Sequence, residues 1–278
     1  MKIVDCFTFY NETELLNYRL NILNDYVDNF ILVEATHTFV GIEKELIFEK
    51  NKHLFENFND KIIHVVVNDF QYILTDKTNA IEYENVWKNE NYQRNCIDNG
   101  IKKLNLTNDD IIVISDLDEI PDPNVFKKIK NKEIAIDFNS LEMDFYYYNL
   151  NSKINDKWYK SKILSYIHYI NITENFKFTC NDIRTKIEVS EPNYIIKNGG
   201  WHLSFFGNSK HIKNKIENFP HQEYNNEKIT SVEYIEEKVN TCKDLFDRND
   251  CNISKIYVKD NLYLPPKYNT YLQKFVFF

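Results

Sequence analysis

Residues 111–123 read IIVISDLDEIPDP, and three carboxylates, Asp116, Asp118 and Glu119, crowd into four positions directly after an apolar run. Acids packed that closely repel one another, and the apolar residues before them cannot share the charge. A hard divalent cation relieves the repulsion, because Mg²⁺ and Mn²⁺ take oxygen ligands and keep places for water or substrate phosphate. Asp116 and Asp118, two apart, straddle a tight turn on which both can face one ion or its waters. The plainer alternative is a solvated loop whose acids cap a helix starting near Pro123.

The elements that must position these acids can be read from hydrophobic spacing. KIVDCFTF (2–9) is expected as a first buried strand, followed by a helix in which Leu16, Leu20, Leu23 and Val27 share one face. Asn11 or Thr13 is its candidate cap. NFILVEATHTF supplies a second strand ending at Glu34, and KIIHVVVNDF a third ending near Asp69. A helical stretch over 82–104 carries Trp87 and Arg94, and DDIIVISDLDE is the fourth strand. Strands alternating with helices predict an α/β fold: a single Rossmann-like, mainly parallel sheet flanked by helices. In such sheets ligands bind beyond the carboxyl ends of the strands. Glu12, Glu34, Asp69 and the Asp116–Glu119 cluster are therefore expected on one edge. The second half is less regular: two strand-like runs flank Trp158, a polar NDIRTK follows, then GGWHLSFFG, and helices are expected over 208–218 and 230–247.

The chain has 278 residues, 43% hydrophobic and 27% charged, and no repeats or low-complexity linker, so one domain over 1–278 is the simplest organisation. The net charge of −8 argues against nucleic acid or an anionic membrane as partner. Five scattered cysteines without a CxxC pair fit reduced thiols. With no signal-like or membrane-spanning run in the sequence, a soluble, cytoplasmic protein without a membrane anchor is expected, in a host cytoplasm if the source is viral.

Two enzyme classes place D-x-D after an apolar strand. In haloacid-dehalogenase-like phosphohydrolases the first acid, here Asp116, is a nucleophile. That pattern wants Thr or Val where Ile120 and Pro121 stand, and it follows the first strand rather than the fourth. In nucleotide-sugar glycosyltransferases of the A-type (GT-A) fold it follows several strands and holds a divalent ion on the diphosphate. The blocks VDCFTFYNETELLNYRL, FILVEATHTFVG, WKNENYQRN, SDLDEIPDP and GGWHLSFFG, in that order over roughly residues 3–207, resemble glycosyltransferase family 17.

That resemblance implies inverting transfer of N-acetylglucosamine from a UDP-sugar to a glycan or glycoprotein acceptor, with Mn²⁺ or Mg²⁺, and with 1–120 as the nucleotide-sugar-binding half and 121–278 as the acceptor-side half. On these residues it implies Asp118 as direct metal ligand, Asp116 as ligand through water or ribose contact, and His202 as third ligand on a loop made mobile by Gly199 and Gly200. Arg94, and with less support Arg19, would meet the phosphates. Glu12, Glu34 and Asp69 would face the nucleoside. Asp182 is the leading general base, with Glu142, Asp144 and Glu223 as alternatives, and Glu119 would orient a ligand or the acceptor hydroxyl. Trp158, Trp201 and Tyr146–Tyr148 are the candidate acceptor platform. A non-catalytic glycan-binding module is the remaining alternative.

Overall fold

The computed structural model describes residues 1–76, 80–188 and 191–277. Its first strand, β1 (Ile3–Phe9), shows how the sheet is built. Ile3, Phe7 and Phe9 point into one apolar cluster and Val4 and Cys6 into another, so the strand is covered on both faces. β2 (Asn29–Ala35), β3 (Ile62–Val67) and β4 (Ile111–Asp116) join it in parallel, in the order β3-β2-β1-β4. The Thr13–Leu23 helix packs Leu16, Leu20 and Leu23 on one face, while Ile97 and Ile101 of a short helix and Ile183 cover the other.

Beyond β4 the pairing changes. β8 (Lys162–Ser165) lies antiparallel to β4, then come β6 (Phe138–Tyr147), β7 (Ser152–Trp158) and β10 (Ile253–Lys255), each antiparallel to the last. β9 (Ile195–Ser204) branches off, parallel to β6 and antiparallel to the short β5 (Glu119–Pro121). The α/β class and A-type layout expected from the sequence are therefore observed, but the sheet is mixed rather than mainly parallel. The physical reason is connection length: β6 and β7 are joined by a turn, and only antiparallel strands can be joined so tightly. Strands from both halves of the chain share this one sheet. A third apolar cluster, with Ile212, Ile216, Ile235 and Leu245, seats the helices Ser209–Asn218 and Val232–Thr241 beside β6 and β9.

Local differences have local causes. The stretch expected as one helix over 82–104 breaks into Ala80–Asn95 and Ile97–Ile101. The run KSKILSYIHYI gives only the four residues of β8 before turning helical at Tyr166. Neither Asn11 nor Thr13 caps the first helix, whose N-cap position is Glu12. Among the described residues no helix is long and apolar enough to cross a membrane, and the five cysteines are free thiols.

Candidate active site

The D-x-D turn is held from beneath by Arg19. Its guanidinium is fully buried, pairs with both oxygens of Asp5 at 2.8 and 2.6 Å, and donates to Ser115 Oγ. It also donates to the carbonyls of Asp116, Leu117 and Glu119 at 2.9, 3.1 and 2.9 Å. One planar cation therefore fixes the backbone of the whole turn. Arg19 is a buried clamp on the turn and is not free to meet a phosphate.

Above that clamp the three acids have different surroundings. Asp116 accepts from Arg94 Nε and Nη2 at 3.2 Å, from Arg184 at 2.7 Å and from Thr8 at 3.3 Å. Burial pushes its carboxyl up, but Arg184 and Arg94 outweigh that and hold it below its ordinary value. Asp118 faces Lys215 Nζ at 2.9 Å and His202 Nε2 at 3.5 Å. Burial again opposes ionisation, and the lysine and the imidazole overcome it, holding Asp118 well below the usual carboxylate range. Lys215, which also lies 3.5 Å from Glu12, is held above its ordinary value by these two acids despite its burial. Glu119 is wholly buried and accepts from Arg184, Trp158 Nε1 (2.6 Å), Ser161 Oγ (2.7 Å) and the Asp116 amide (3.0 Å). With four donors on two oxygens it is engaged in positioning Arg184 and Trp158.

His202 reaches the site through strand pairing. It lies in β9 opposite Glu119 of β5, and the Leu203 amide donates to the Asp118 carbonyl at 2.7 Å. Its ring stacks on Phe145 and packs tilted against Trp158, both centroids 4.4 Å away. The expectation of a mobile Gly199–Gly200 lid is overturned, since both glycines are buried within β9. A Cβ on Gly200, which has φ +146°, would stand 2.1 Å from the Ile120 carbonyl oxygen. The glycine is there for close approach of β5 and β9.

Among the described residues no three His, Cys, Asp or Glu side chains converge as a metal cage. The structure offers two, Asp118 Oδ1 and His202 Nε2, and the second nitrogen of His202, Nδ1, is buried without a hydrogen-bond partner. Such a pair fits Mg²⁺ or Mn²⁺, which are often held by one or two protein groups and completed by substrate phosphate and water. It does not fit a dedicated all-protein ion site.

A cavity of about 710 Å³ opens over these groups, beyond the carboxyl ends of β1 and β4. Of the sequence candidates, Glu12, Arg94, Asp116, Asp118, Glu119 and His202 line it. Three do not. Glu34 is buried and accepts from the amides of Ile47 and Phe48 and from Lys44 and His64, holding the start of a short helix. Asp69 is exposed and accepts from the Tyr92 hydroxyl at 2.6 Å. Asp182 forms a capping box with Thr179 and pairs with Lys186 at 2.7 Å, so its carboxylate serves the Cys180–Thr185 helix. The alternative bases are also placed off the cavity: Asp144 lies between Lys153 and Lys157, Glu142 meets Tyr159, and Glu223 meets His221. Trp201 is core, stacked on Tyr263, and Tyr146 and Tyr148 are buried, whereas Phe145, Tyr147 and Trp158 face the cavity.

Sequence reasoning missed Arg184, Lys215 and Glu90. Arg184 sits in the same NDIRTK segment as Asp182, two residues on, and it is the arginine that the structure brings to the acids. The available signal was charge balance, because a buried acid cluster needs buried cations. Glu90 lies one helical turn before Arg94, 3.3 Å from it, and lines the cavity. Burial, first of all, pushes its carboxyl above the ordinary value.

Over 124 residues, 43% of this chain, the sequence is 27% identical to the β-1,4-mannosyl-glycoprotein 4-β-N-acetylglucosaminyltransferases of Rattus norvegicus and Homo sapiens. The match spans only 22% of those relatives' length. A solved structure of S. aureus TarS, residues 1–349, is a distant likeness: TM-score 0.39, 10% identity, 79% of this chain and 66% of that one. The sequence profile of glycosyltransferase family 17 matches residues 1–250, which include every residue of the cavity described above. On that match, the chain belongs to glycosyltransferase family 17.

Proposed function

We propose that this chain transfers a sugar from a UDP-sugar to a glycan hydroxyl, with inversion at the anomeric carbon and with Mn²⁺ or Mg²⁺ as cofactor. The names of the matched relatives favour N-acetylglucosamine as the sugar. The observation that carries the reading is the pairing of Asp118 and His202 at 3.5 Å in a cavity whose lining is basic. Among the described residues, four lysines and three arginines line it, against three glutamates and two aspartates. That balance suits a diphosphate.

Asp118 and His202 would hold the ion, with Asp116 acting through water. Once bound, the ion supplies the charge that stabilises the diphosphate as the sugar leaves. Arg94 and Arg184 keep Asp116 ionised and fixed, while Arg19 holds the turn so that neither acid must reorganise during the reaction. Phe145, Tyr147, Trp158, Tyr224 and Phe246 offer apolar faces for sugar rings. Glu90 is the cavity carboxylate best suited to accept the hydroxyl proton, because its raised affinity for a proton matches general-base work.

Calorimetry with UDP-N-acetylglucosamine tests the proposal. Binding is expected with Mn²⁺ and not with EDTA, and Asp118→Ala is expected to lower turnover at least ~100-fold. Absence of UDP-sugar binding with Mn²⁺ present overturns it. Oligosaccharide binding indifferent to EDTA, without donor affinity, would instead identify a glycan-binding module. The phosphohydrolase alternative needs Asp116 free as a nucleophile, and two arginines and a threonine occupy that carboxylate.

A further inference from the structure

Asp118 already has a cation. Lys215 Nζ sits 2.9 Å from Asp118 Oδ2 and 5.4 Å from the centre of the Phe205 ring, in a side chain only 21% exposed. It is delivered by the Ser209–Asn218 helix, which belongs to the second half of the chain. That helix is fastened to the exit of β1 through Asn214, which accepts from the Tyr10 hydroxyl at 2.9 Å and the Asn11 side-chain amide at 3.1 Å. The ammonium is therefore held in place over the acid that the proposed reaction assigns to a divalent ion.

An ammonium and a hydrated Mg²⁺ or Mn²⁺ compete for the same carboxylate. Such ions dehydrate reluctantly, and two protein ligands alone hold them weakly. A resident lysine weakens that hold further, since displacing it breaks a close, partly buried charge pair. A diphosphate changes the balance, because it brings new oxygens for the ion and a new acceptor for the ammonium. Glu12, 3.5 Å from Nζ, gives the displaced charge a second partner nearby.

We infer that Lys215 is a resident counter-ion which competes with the divalent cation for Asp118, so that the cation is captured together with the diphosphate and not before it. The inference rests on the assignment of Asp118 as metal ligand. Lys215 is in this sense a positioning residue: it sets the order of binding.

The test is Mn²⁺ binding, followed by the electron paramagnetic resonance of free Mn²⁺, with and without UDP. The wild-type protein is expected to bind Mn²⁺ at least ~10-fold more weakly without UDP than with it. Lys215→Met is expected to tighten binding without UDP about tenfold and to shrink the effect of UDP. Lys215→Arg should behave as wild type, and adding Asp118→Asn to Lys215→Met should remove the gain. Lys215→Gln gives the same reading should the Met variant not fold. UDP-free affinity unchanged or weakened in both neutral variants, while UDP still recruits Mn²⁺ to the wild type, overturns the inference alone. Failure of the wild type to bind Mn²⁺ even with UDP overturns the metal-dependent reading, and this inference with it.

Discussion

Asp116, Asp118 and Glu119 are one short motif in sequence and three different chemical groups in the fold. Two arginines fix Asp116, Asp118 looks at a lysine and a histidine across the cavity, and Glu119 is sealed under Trp158 and Ser161. Arg19 makes the division possible by gripping three carbonyls of the turn. Arg19→Met leaves Asp5 buried and uncompensated, and is expected to cost about 3–5 kcal/mol in urea unfolding. Adding Asp5→Asn should recover part of that loss, because the stranded charge goes with it. Glu90→Gln tests the base assignment: kcat should fall at least ~100-fold with UDP affinity little changed. Equal losses in both would assign Glu90 to donor binding instead.

At the scale of elements, the short β5–β9 ladder matters more than its length suggests. It sets Glu119 against His202 and, through the Leu203 amide, ties β9 to the Asp118 carbonyl. Gly200→Ala puts a methyl group 2.1 Å from the Ile120 carbonyl oxygen on a backbone of positive φ. It should destabilise the fold by at least about 2 kcal/mol and weaken Mn²⁺–UDP binding together with it. β8 carries a second test. Lys162 is buried, donating to Ser140 Oγ and the Tyr159 carbonyl, and burial pulls its ammonium down to about 8. Between about pH 8 and the unfolded value near 10.4 the unfolded chain binds the extra proton, so this group's contribution to stability rises with pH. Denaturant titrations of Lys162→Met should therefore lose stability more steeply than wild type from pH 8 to 10, by about 1–3 kcal/mol over the interval. Parallel curves would show that Lys162 keeps its proton in the folded state.

Across the whole molecule, charge is distributed against the net value. The chain is at −8, yet among the described residues the cavity lining holds more basic than acidic side chains. A net negative surface discourages nucleic acid while a basic recess concentrates a small polyanion. UDP with Mn²⁺ at a hundred times its Kd should stabilise the protein by about 2.7 kcal/mol, read as a rise in Tm of roughly 5–10 °C. Neither component alone should give that rise if the cation and the diphosphate are taken up together. A full shift with UDP and EDTA would separate nucleotide binding from any metal.

Local information was sufficient for elements that bury a predictable face. Period-two and helical spacing gave β1 to β4 and the Thr13–Leu23 helix, because those elements are buried on predictable faces. The carboxylates at the end of β4 were legible for the same reason: an apolar strand ending in acids has its exit at a polar edge. Partner choice was not legible. Glu34, Asp69 and Asp182 look equivalent to Glu12 in sequence, yet helix ends and a tyrosine claim them, since nearby backbone donors are the cheapest partners for a carboxylate. Arg184, Lys215 and His202 reach the acids from 65 to 97 positions away only because β9 pairs with β5 and two helices pack over the cavity. The sequence by itself determined the four parallel strands and where negative charge leaves the sheet. Only the tertiary structure decided which cations and which imidazole meet that charge, because those contacts depend on long-range packing that no local pattern records.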